Sequence, residues 1–374
     1  MIKIENIKIR DEEILKVQDM FDKSLSLDGS IWMDQNIYKI KKINLDSDFL
    51  VIIGAGGSYL GIEAAINFLG KNEKVIFIGN NFDAEDILRE LSKIKGKSII
   101  VNVISRSSNT LEPILSLKIL EKFIEENSIE CKDIYLTTAS EGSLYKTAEK
   151  NGYKIIKMPE KLVGRYSCLF VGKLAFDFLG YDFEEIIKGS QQALKDNSSI
   201  IYSIIRNHEY RSGNELEIFQ YYEKSLSSLA DWWKQLFGES EGKNGKGIYP
   251  SSLFFSRDLH SIGQYLQEGT ENFFQTTLFV NEGEDFIVDG LSMRKVNRAV
   301  FESSYESHKG RSTNIVIDVE RRNEYNLGYL IFFFQKSALL SSLLLEVNPY
   351  DNEGVKIYKS HLIKKIEDFT TISQ

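Results

Sequence analysis

The stretch VNVISRSSNTLEPILSLKILEKF, residues 101–123, joins a strand to a helix through a polar loop and thereby indicates the fold class. β-Branched apolar residues up to Ile104 predict a buried strand, and the apolar spacing from Leu111 onward predicts a helix. The loop between them carries Ser105, Ser107, Ser108, Asn109 and Thr110. One hydroxyl is enough to cap a helix. The other hydroxyls therefore indicate a binding role.

This strand–loop–helix unit is one of several in the first half of the chain. Apolar runs of strand length recur between Phe49 and Met158, namely FLVIIG, KVIFIG, SIIVNVIS, DIYLTT and YKIIKM, and helical patterns separate them. Such alternation is typical of a parallel sheet that helices cover on both faces. A helix-rich stretch over roughly residues 182–237 follows. The runs SSLFFS, TTLFV and TNIVIDV then predict the strands of a second α/β domain.

The length of 374 residues suits two domains, since one domain takes about 150 residues. We expect an N-terminal helical segment over residues 1–45, a first domain over 46–185 and a second domain over 186–374, which ends in helices. The run YLIFFFQKSALLSSLLL, which starts at Tyr329, is broken by Gln335 and Lys336. It therefore predicts a buried helix rather than a membrane span.

Composition and charge narrow the functional classes. The net charge is −8 and the basic residues are dispersed, so we expect no nucleic-acid partner. We expect no membrane partner either, and the charged N-terminus lacks the apolar core of a signal peptide. Cys131 and Cys168 belong to no pairing pattern and are expected to be free thiols in a reducing cytoplasm. The four histidines lack metal-ligand spacing, so no metal is predicted.

Two strand ends are rich in groups that bind anions. In an open parallel sheet, ligands bind outside the carboxyl ends of the strands. In VIIGAGGSYLG, Gly54, Gly56, Gly57 and Ser58 separate a strand from a helix, so the backbone can approach a ligand closely. A tight structural turn is the alternative interpretation of this loop. The hydroxyl loop of residues 105–110 suits a phosphate, and we call it the phosphate cradle.

Six segments resemble, in order, the successive motifs of the glucose-6-phosphate isomerase (phosphoglucose isomerase) family, in a short bacterial-type form. They are GAGGSYLG, ISRSSNTLEP, VGRYSCL, WWKQLFGESEGK, DLHSIGQYLQEGT and NPYDNEGVKIYK, between about residues 50 and 362. The resemblance implies two sugar-isomerase-type domains, each with a five-stranded parallel sheet between helices. It also implies reversible aldose–ketose isomerisation of glucose 6-phosphate and fructose 6-phosphate through an enediolate, in glycolysis and gluconeogenesis, with no cofactor.

The resemblance assigns four catalytic residues. Glu239 matches the base that moves a proton between C2 and C1. Arg165 matches the arginine that stabilises the enediolate. His260 matches the ring-opening histidine, which the family takes from the partner subunit of a homodimer. Lys359 matches the lysine that assists ring opening.

The resemblance also implies the substrate-binding residues. Ser105, Ser107, Thr110 and Ser58 would bind the phosphate, whereas Gly57, Gly164 and Gln235 would contact the sugar. Helical spacing places Gln235 on the same face as Glu239, four residues later, and directs Glu241 elsewhere. His308 is the competing histidine, and we expect it to be non-catalytic.

Several positions depart from the family pattern. The cradle reads SRSSNT where the family has SKSGTT, which places Arg106, Ser108 and Asn109 at changed positions. Val163 replaces the first glycine of a pair, and Asn352 stands where a phosphate-contacting glutamine is usual. We therefore expect an active enzyme with weaker substrate binding.

Three other functions compete with this one. An isomerase of another sugar phosphate, such as mannose 6-phosphate, could use the same base and cradle. A non-catalytic regulator that binds a sugar phosphate would not need Glu239, Arg165, His260 and Lys359 together, and no basic helix-turn-helix segment is present. A dehydrogenase is the weakest candidate, because the glycine loop lacks the G-x-G-x-x-G spacing and the acidic residue that binds ribose.

Overall fold

The computed structural model describes residues 2–4, 9–70 and 73–372. The predicted ranges 1–45 and 186–374 can be compared with it only in part, because Met1, residues 5–8 and residues 373–374 lie outside the described residues. The chain begins with β1 (Ile2–Ile4) and α1 (Asp11–Ser24), and two short 3-10 helices follow, Asp28–Met33 and Gln35–Tyr38. The prediction of a helical segment over residues 1–45 did not include the strand β1. Its alternating sequence IKI suits an extended strand.

The first sheet contains five parallel strands, as predicted. Its order is β3-β2-β4-β5-β6. The strands are β2 (Phe49–Ile53), β3 (Val75–Ile78), β4 (Ser98–Ile104), β5 (Glu130–Thr138) and β6 (Lys154–Lys157), and the helices between them are α2 (Leu60–Leu69), α3 (Ala84–Ser92), α4 (Leu111–Asn127) and α5 (Ser143–Asn151). Because β2 has its sequential successor β3 on one side and β4 on the other, the loops after β2 and β4 leave the sheet at the topological switch point.

The second sheet has the order β1-β12-β9-β7-β8, and four of its strands are parallel. The fifth strand is the antiparallel β1 at the edge. The parallel strands are β7 (Leu216–Tyr221), β8 (Tyr249–Phe254), β9 (Phe273–Glu282) and β12 (Asn314–Arg321), and a hairpin pairs β10 (Ile287–Val288) with β11 (Leu291–Ser292). The stretch over roughly 182–237 is helix-rich, as predicted, but the prediction missed β7 within it. The polar side chains of Glu217 and Gln220 interrupt the apolar pattern of this strand and hide it.

Helices surround the second sheet and connect it to the first. They are α6 (Cys168–Leu179), α7 (Phe183–Lys195), α8 (Ser198–Arg211), α9 (Ser227–Glu241), α10 (Gly263–Glu268), α11 (Met293–His308), α12 (Glu324–Leu344) and α13 (Glu353–Ile372). Among the described helices, α12 alone is long and apolar enough to cross a membrane, but 83% of that stretch is buried inside the protein. The run from Tyr329 thus belongs to a core helix, as predicted.

The core explains why the strands of the first sheet are apolar on both faces. Along β4, Ile100 and Ile104 join the large cluster that includes the second sheet. Ile99, Val101 and Val103 point the other way, into a separate cluster under α3 and α4. Alternate residues of one strand therefore fill two cores, which keeps the sheet rigid beneath the loops that leave it. The domain boundaries at 45/46 and 185/186 stay a prediction.

Candidate active site

A cavity of about 950 Å³ lies where the loops after β2 and β4 meet α9 and the start of α13. The volume and the mixed lining suit a small polar ligand. The structure brings nine of the eleven predicted site residues to its wall: Ser58, Ser107 and Thr110 for the phosphate, Gly57, Gly164 and Gln235 for the sugar, and Arg165, Glu239 and Lys359 for the chemistry. The other two, Ser105 and His260, do not line it.

Glu239 is held by hydrogen bonds on both carboxylate oxygens. On α9, the Gln235 Nε2 donates to Oε1 over 3.0 Å, and the Arg165 Nη1 donates to Oε2 over 3.2 Å. The Glu239 side chain keeps 29% of its surface exposed, and this surface faces the cavity. A carboxylate that is fixed in orientation but open to the ligand is suited to proton transfer.

Arg165 supplies a fixed positive charge beside that carboxylate. Its side chain is fully buried, and its Nε donates to Ser240 Oγ over 3.0 Å. Its Nη2 donates to the carbonyl of Pro349 and, over 3.0 Å, to the carbonyl of Asp351. Because these bonds already hold the guanidinium in place, it can stabilise an oxyanion without reorganising. Ser240 was missed in the sequence, although it stands inside the segment FGESEGK between the two glutamates.

Glu241 points away from the cavity, as the helical spacing predicts. It is fully buried and pairs with Arg206, which also donates through Nε to Glu217 Oε2 over 2.6 Å. Ser341 Oγ accepts a further bond of 2.7 Å from Arg206. Glu239 and Glu241, two residues apart on α9, thus point in different directions. Glu239 faces the cavity, and Glu241 neutralises a buried arginine that ties α8 to α9.

Gly57 and Gly164 bring two backbone segments into direct contact. Each lies in a short 3-10 helix, Gly56–Ser58 or Gly164–Tyr166. A Cβ on Gly57 would stand 2.4 Å from the Gly164 carbonyl carbon and 2.8 Å from the Arg165 nitrogen. The glycine loop therefore packs against the segment that carries Arg165. Gly57 is required for this close packing, as the structural interpretation of the loop expects. It also lines the cavity, as the ligand-binding interpretation expects.

The phosphate cradle places accessible hydroxyls over a buried one. Ser107 Oγ lies 3.3 Å from Thr110 Oγ1, and both residues line the cavity. Ser105 lies beneath them, 2% exposed, and its hydroxyl donates to Thr110 Oγ1 over 3.2 Å. Its backbone N–H continues the sheet by donating to the Thr137 carbonyl. Ser105 thus lies behind Thr110 and does not line the cavity, and its predicted phosphate contact stays a prediction.

Two of the changed cradle residues, Ser108 and Asn109, tie the loop to α5. Ser108 adopts a φ of 57°, the left-handed conformation that glycine adopts readily. Its buried hydroxyl accepts a hydrogen bond of 2.7 Å from the Tyr145 N–H, and the Asn109 side chain accepts one of 2.9 Å from the Ser143 N–H. These bonds stabilise the strained turn that serine makes here. Arg106 donates to the Glu160 carbonyl over 3.1 Å at the cavity wall.

Both candidate histidines lie outside the cavity. His260 is exposed, at the end of the 3-10 helix Arg257–His260 that follows β8. Its neighbour Asp258 is engaged with Arg257 at 2.6 Å and with the Phe254 N–H at 2.7 Å. His308 is buried, with its Nδ1 3.1 Å from Gln275 Oε1, and burial lowers its pKa. Within the residues that the structure describes, no cluster of three or more histidine, cysteine or acidic side chains could hold a metal ion.

Solved structures with the same arrangement define the class of the fold. A hypothetical protein from Thermus thermophilus superposes with a TM-score of 0.82 over 94% of each chain, at 22% identity. A glucose-6-phosphate isomerase from Chlamydia trachomatis superposes with a TM-score of 0.74 over 98% of this chain and 77% of that one, at 18% identity. The chain thus has the sugar-isomerase fold.

The family within this class follows from the sequence itself. The phosphoglucose isomerase family model matches residues 40–287. The glucose-6-phosphate isomerase of Alkaliphilus metalliredigens (strain QYMF) is 40% identical over 362 residues, which are 86% of this chain and 80% of that protein. The chain belongs to the phosphoglucose isomerase family, as its six segments predict.

Proposed function

We propose that this protein is an enzyme that interconverts glucose 6-phosphate and fructose 6-phosphate. The observation that carries the proposal is the Glu239 carboxylate, which Gln235 and Arg165 hold at the wall of a cavity that the hydroxyl loop also lines. A carboxylate and a hydroxyl loop in one cavity suit a substrate with a phosphate at one end and a reacting carbon at the other.

The positions of these groups support the following course for the proposed reaction. Glu239 takes the proton from C2 of the open aldose, and the C2–H electron pair forms the enediolate double bond. Arg165 stabilises the negative oxygen that develops, because its N–H groups are already fixed beside Glu239. Glu239 then returns the proton to C1, and the C2 hydroxyl proton passes to the C1 oxygen, so C2 becomes the ketose carbonyl carbon and C1 carries a hydroxyl. Ser58, Ser107 and Thr110 bind the phosphate, and Lys359 assists ring opening.

A coupled assay tests the substrate assignment. Fructose 6-phosphate conversion should proceed, and mannose 6-phosphate should be the slower substrate in the same buffer. The double variant Ser107→Ala/Thr110→Ala should raise KM at least tenfold with little change in kcat, because two hydrogen bonds to a charged group contribute about 1.5–3 kcal/mol each. Faster turnover of mannose 6-phosphate would show that this sugar is the substrate instead. Binding of the sugar phosphates without any turnover would favour the hypothesis of a non-catalytic regulator.

We propose further that the working unit is a homodimer in which His260 completes the site of the partner subunit. The exposed position of His260, outside the cavity of its own chain, supports this. Mixing Glu239→Gln with His260→Ala subunits tests it, since each mixed dimer would contain one intact site. Recovered activity is the expected result, and a mixture as inactive as its parents would place His260 elsewhere.

We also propose a cytoplasmic location. Cys131 and Cys168 are both free, which suits a reducing compartment. Cell fractionation with an antibody against the native protein would test this, and recovery from an oxidising compartment would contradict it.

A further inference from the structure

Lys243 links the helix that carries Glu239 to a loop on the other side of the site. It follows the last turn of α9 by two residues, and its side chain is only 12% exposed. The ammonium donates to the Asn348 carbonyl and pairs with the Asp351 carboxylate over 2.8 Å. Burial lowers the pKa of this ammonium. Desolvated bonds of this kind are stronger than those of an exposed ion pair.

Arg165 holds the same loop, residues 348–352, from a second direction. Its Nη2 donates to the carbonyls of Pro349 and Asp351. Asp351 is therefore fixed twice, by its carbonyl on Arg165 and by its carboxylate on Lys243. The next residue, Asn352, already lines the cavity.

The loop leads directly into α13, and α13 carries Lys359. Over residues 353–366 the side chains of this helix are exposed or half-buried, so packing against the rest of the protein restrains it little. Yet Val355, Tyr358 and Lys359 line the cavity. The direction in which α13 leaves Asp351 therefore decides where the Lys359 ammonium lies relative to Glu239.

We infer that Lys243 is a positioning residue: by fixing Asp351, it keeps the Lys359 side chain at a set position relative to Glu239. Lys243 does not line the cavity, so it acts through the loop rather than on the substrate. The inference rests on the proposed function for its effect on turnover, but its effect on the position of α13 can be measured without substrate.

Lys246 provides a matched control. It lies three residues further on and also binds the segment before α13, through the Leu345 carbonyl at 2.9 Å and the Glu346 carboxylate at 3.4 Å. These contacts precede the loop, so they do not fix the direction of α13. Lys243→Met and Lys246→Met therefore remove the same charge and similar bonds, but only Lys243→Met releases Asp351.

The test measures kcat and KM for fructose 6-phosphate together with amide hydrogen exchange over residues 353–362. Lys243→Met should lower kcat about ten- to hundredfold, since a displacement near 1 Å costs up to about a hundredfold. KM should change less, because the phosphate cradle lies on another element. Lys246→Met should keep its kcat. Exchange in α13 should rise in Lys243→Met alone.

Two further variants separate positioning from general stability. Asp351→Asn should lower kcat as Lys243→Met does, and the double variant should fall no further than either single one, because both act through one contact. Lys243→Arg should restore part of the kcat. Independent losses in the double variant, equal losses in Lys246→Met, or unchanged exchange in α13 would each overturn the inference. A wild-type protein without turnover would instead refute the proposed function, and the exchange comparison would still decide the role of Lys243.

Discussion

Replacing Gly57 by alanine should disable the site without removing any side chain from it. The added Cβ would lie 2.4 Å from the Gly164 carbonyl carbon and 2.5 Å from its oxygen, whereas ordinary contact begins at 3.4 Å. The clash is with backbone, so the two segments must separate by about 1 Å to relieve it. Overpacking of this kind costs about 1–3 kcal/mol in the free energy of unfolding.

The same displacement would move Arg165, whose nitrogen is 2.8 Å from the new Cβ. Since Arg165 donates to Glu239 over 3.2 Å, a shift of about 1 Å would break that hydrogen bond. Misplacement on this scale lowers turnover about a hundredfold. Coupled assays at saturating fructose 6-phosphate would show the loss in kcat, and thermal denaturation would show the smaller loss in stability.

Gly238→Ala is the matched control for this substitution. Gly238 precedes Glu239 on α9, and its Cβ would lie 3.6 Å from Pro250, an ordinary contact. Alanine also suits a helix better than glycine by about 1 kcal/mol. This variant should therefore keep its kcat. A Gly57→Ala protein with wild-type kcat would refute the claim that the glycine loop fixes the position of Arg165.

Two further predictions concern buried charges. The Lys336 ammonium donates to the carbonyls of Leu194 and Asp196, and burial lowers its pKa to about 8 from an ordinary 10.5. The unfolded chain therefore binds more protons than the folded protein between pH 8 and 10.5. The free energy of unfolding, relative to that of Lys336→Met, should rise by about 3 kcal/mol across that window. Urea unfolding at several pH values measures this difference, and a difference that stays constant with pH would contradict the prediction. Glu241→Gln should lower the free energy of unfolding by about 3–5 kcal/mol, because it leaves Arg206 incompletely paired in the core. Denaturant unfolding would check this loss, and a variant as stable as the wild type would show that the pair contributes nothing.

Much of the fold could be predicted because its signals are local. The apolar runs from Phe49 to Met158 indicated the first sheet strand by strand, since both faces of these strands are buried. β7 was missed because two of its buried residues, Glu217 and Gln220, are polar. Glu217 bonds to Arg206 and Gln220 bonds to Gln275, and such partners on other elements leave no mark on the local pattern. The pairing of β1 with β12 joins residues more than 300 apart and was equally hidden.

In the candidate site, too, the features with local signals could be predicted and the non-local contacts could not. The residue types and order of the six segments identified Glu239, Arg165 and Lys359, and the structure places all three at one cavity. The supporting contacts are non-local. The sequence offered no way to see that Ser105 lies buried behind Thr110, or that Lys243 binds a loop more than 100 residues away.

The most direct test of the account is the exchange of the substrate's C2 hydrogen with solvent in the Glu239→Gln variant. The variant keeps the size of the side chain and one acceptor oxygen for the Arg165 N–H, but it lacks a carboxylate to accept the proton. Exchange and turnover should both fall by about 10²–10⁴-fold, while a 6-phosphate sugar acid still binds. Exchange at the wild-type rate in a folded Glu239→Gln protein would show that another group is the base.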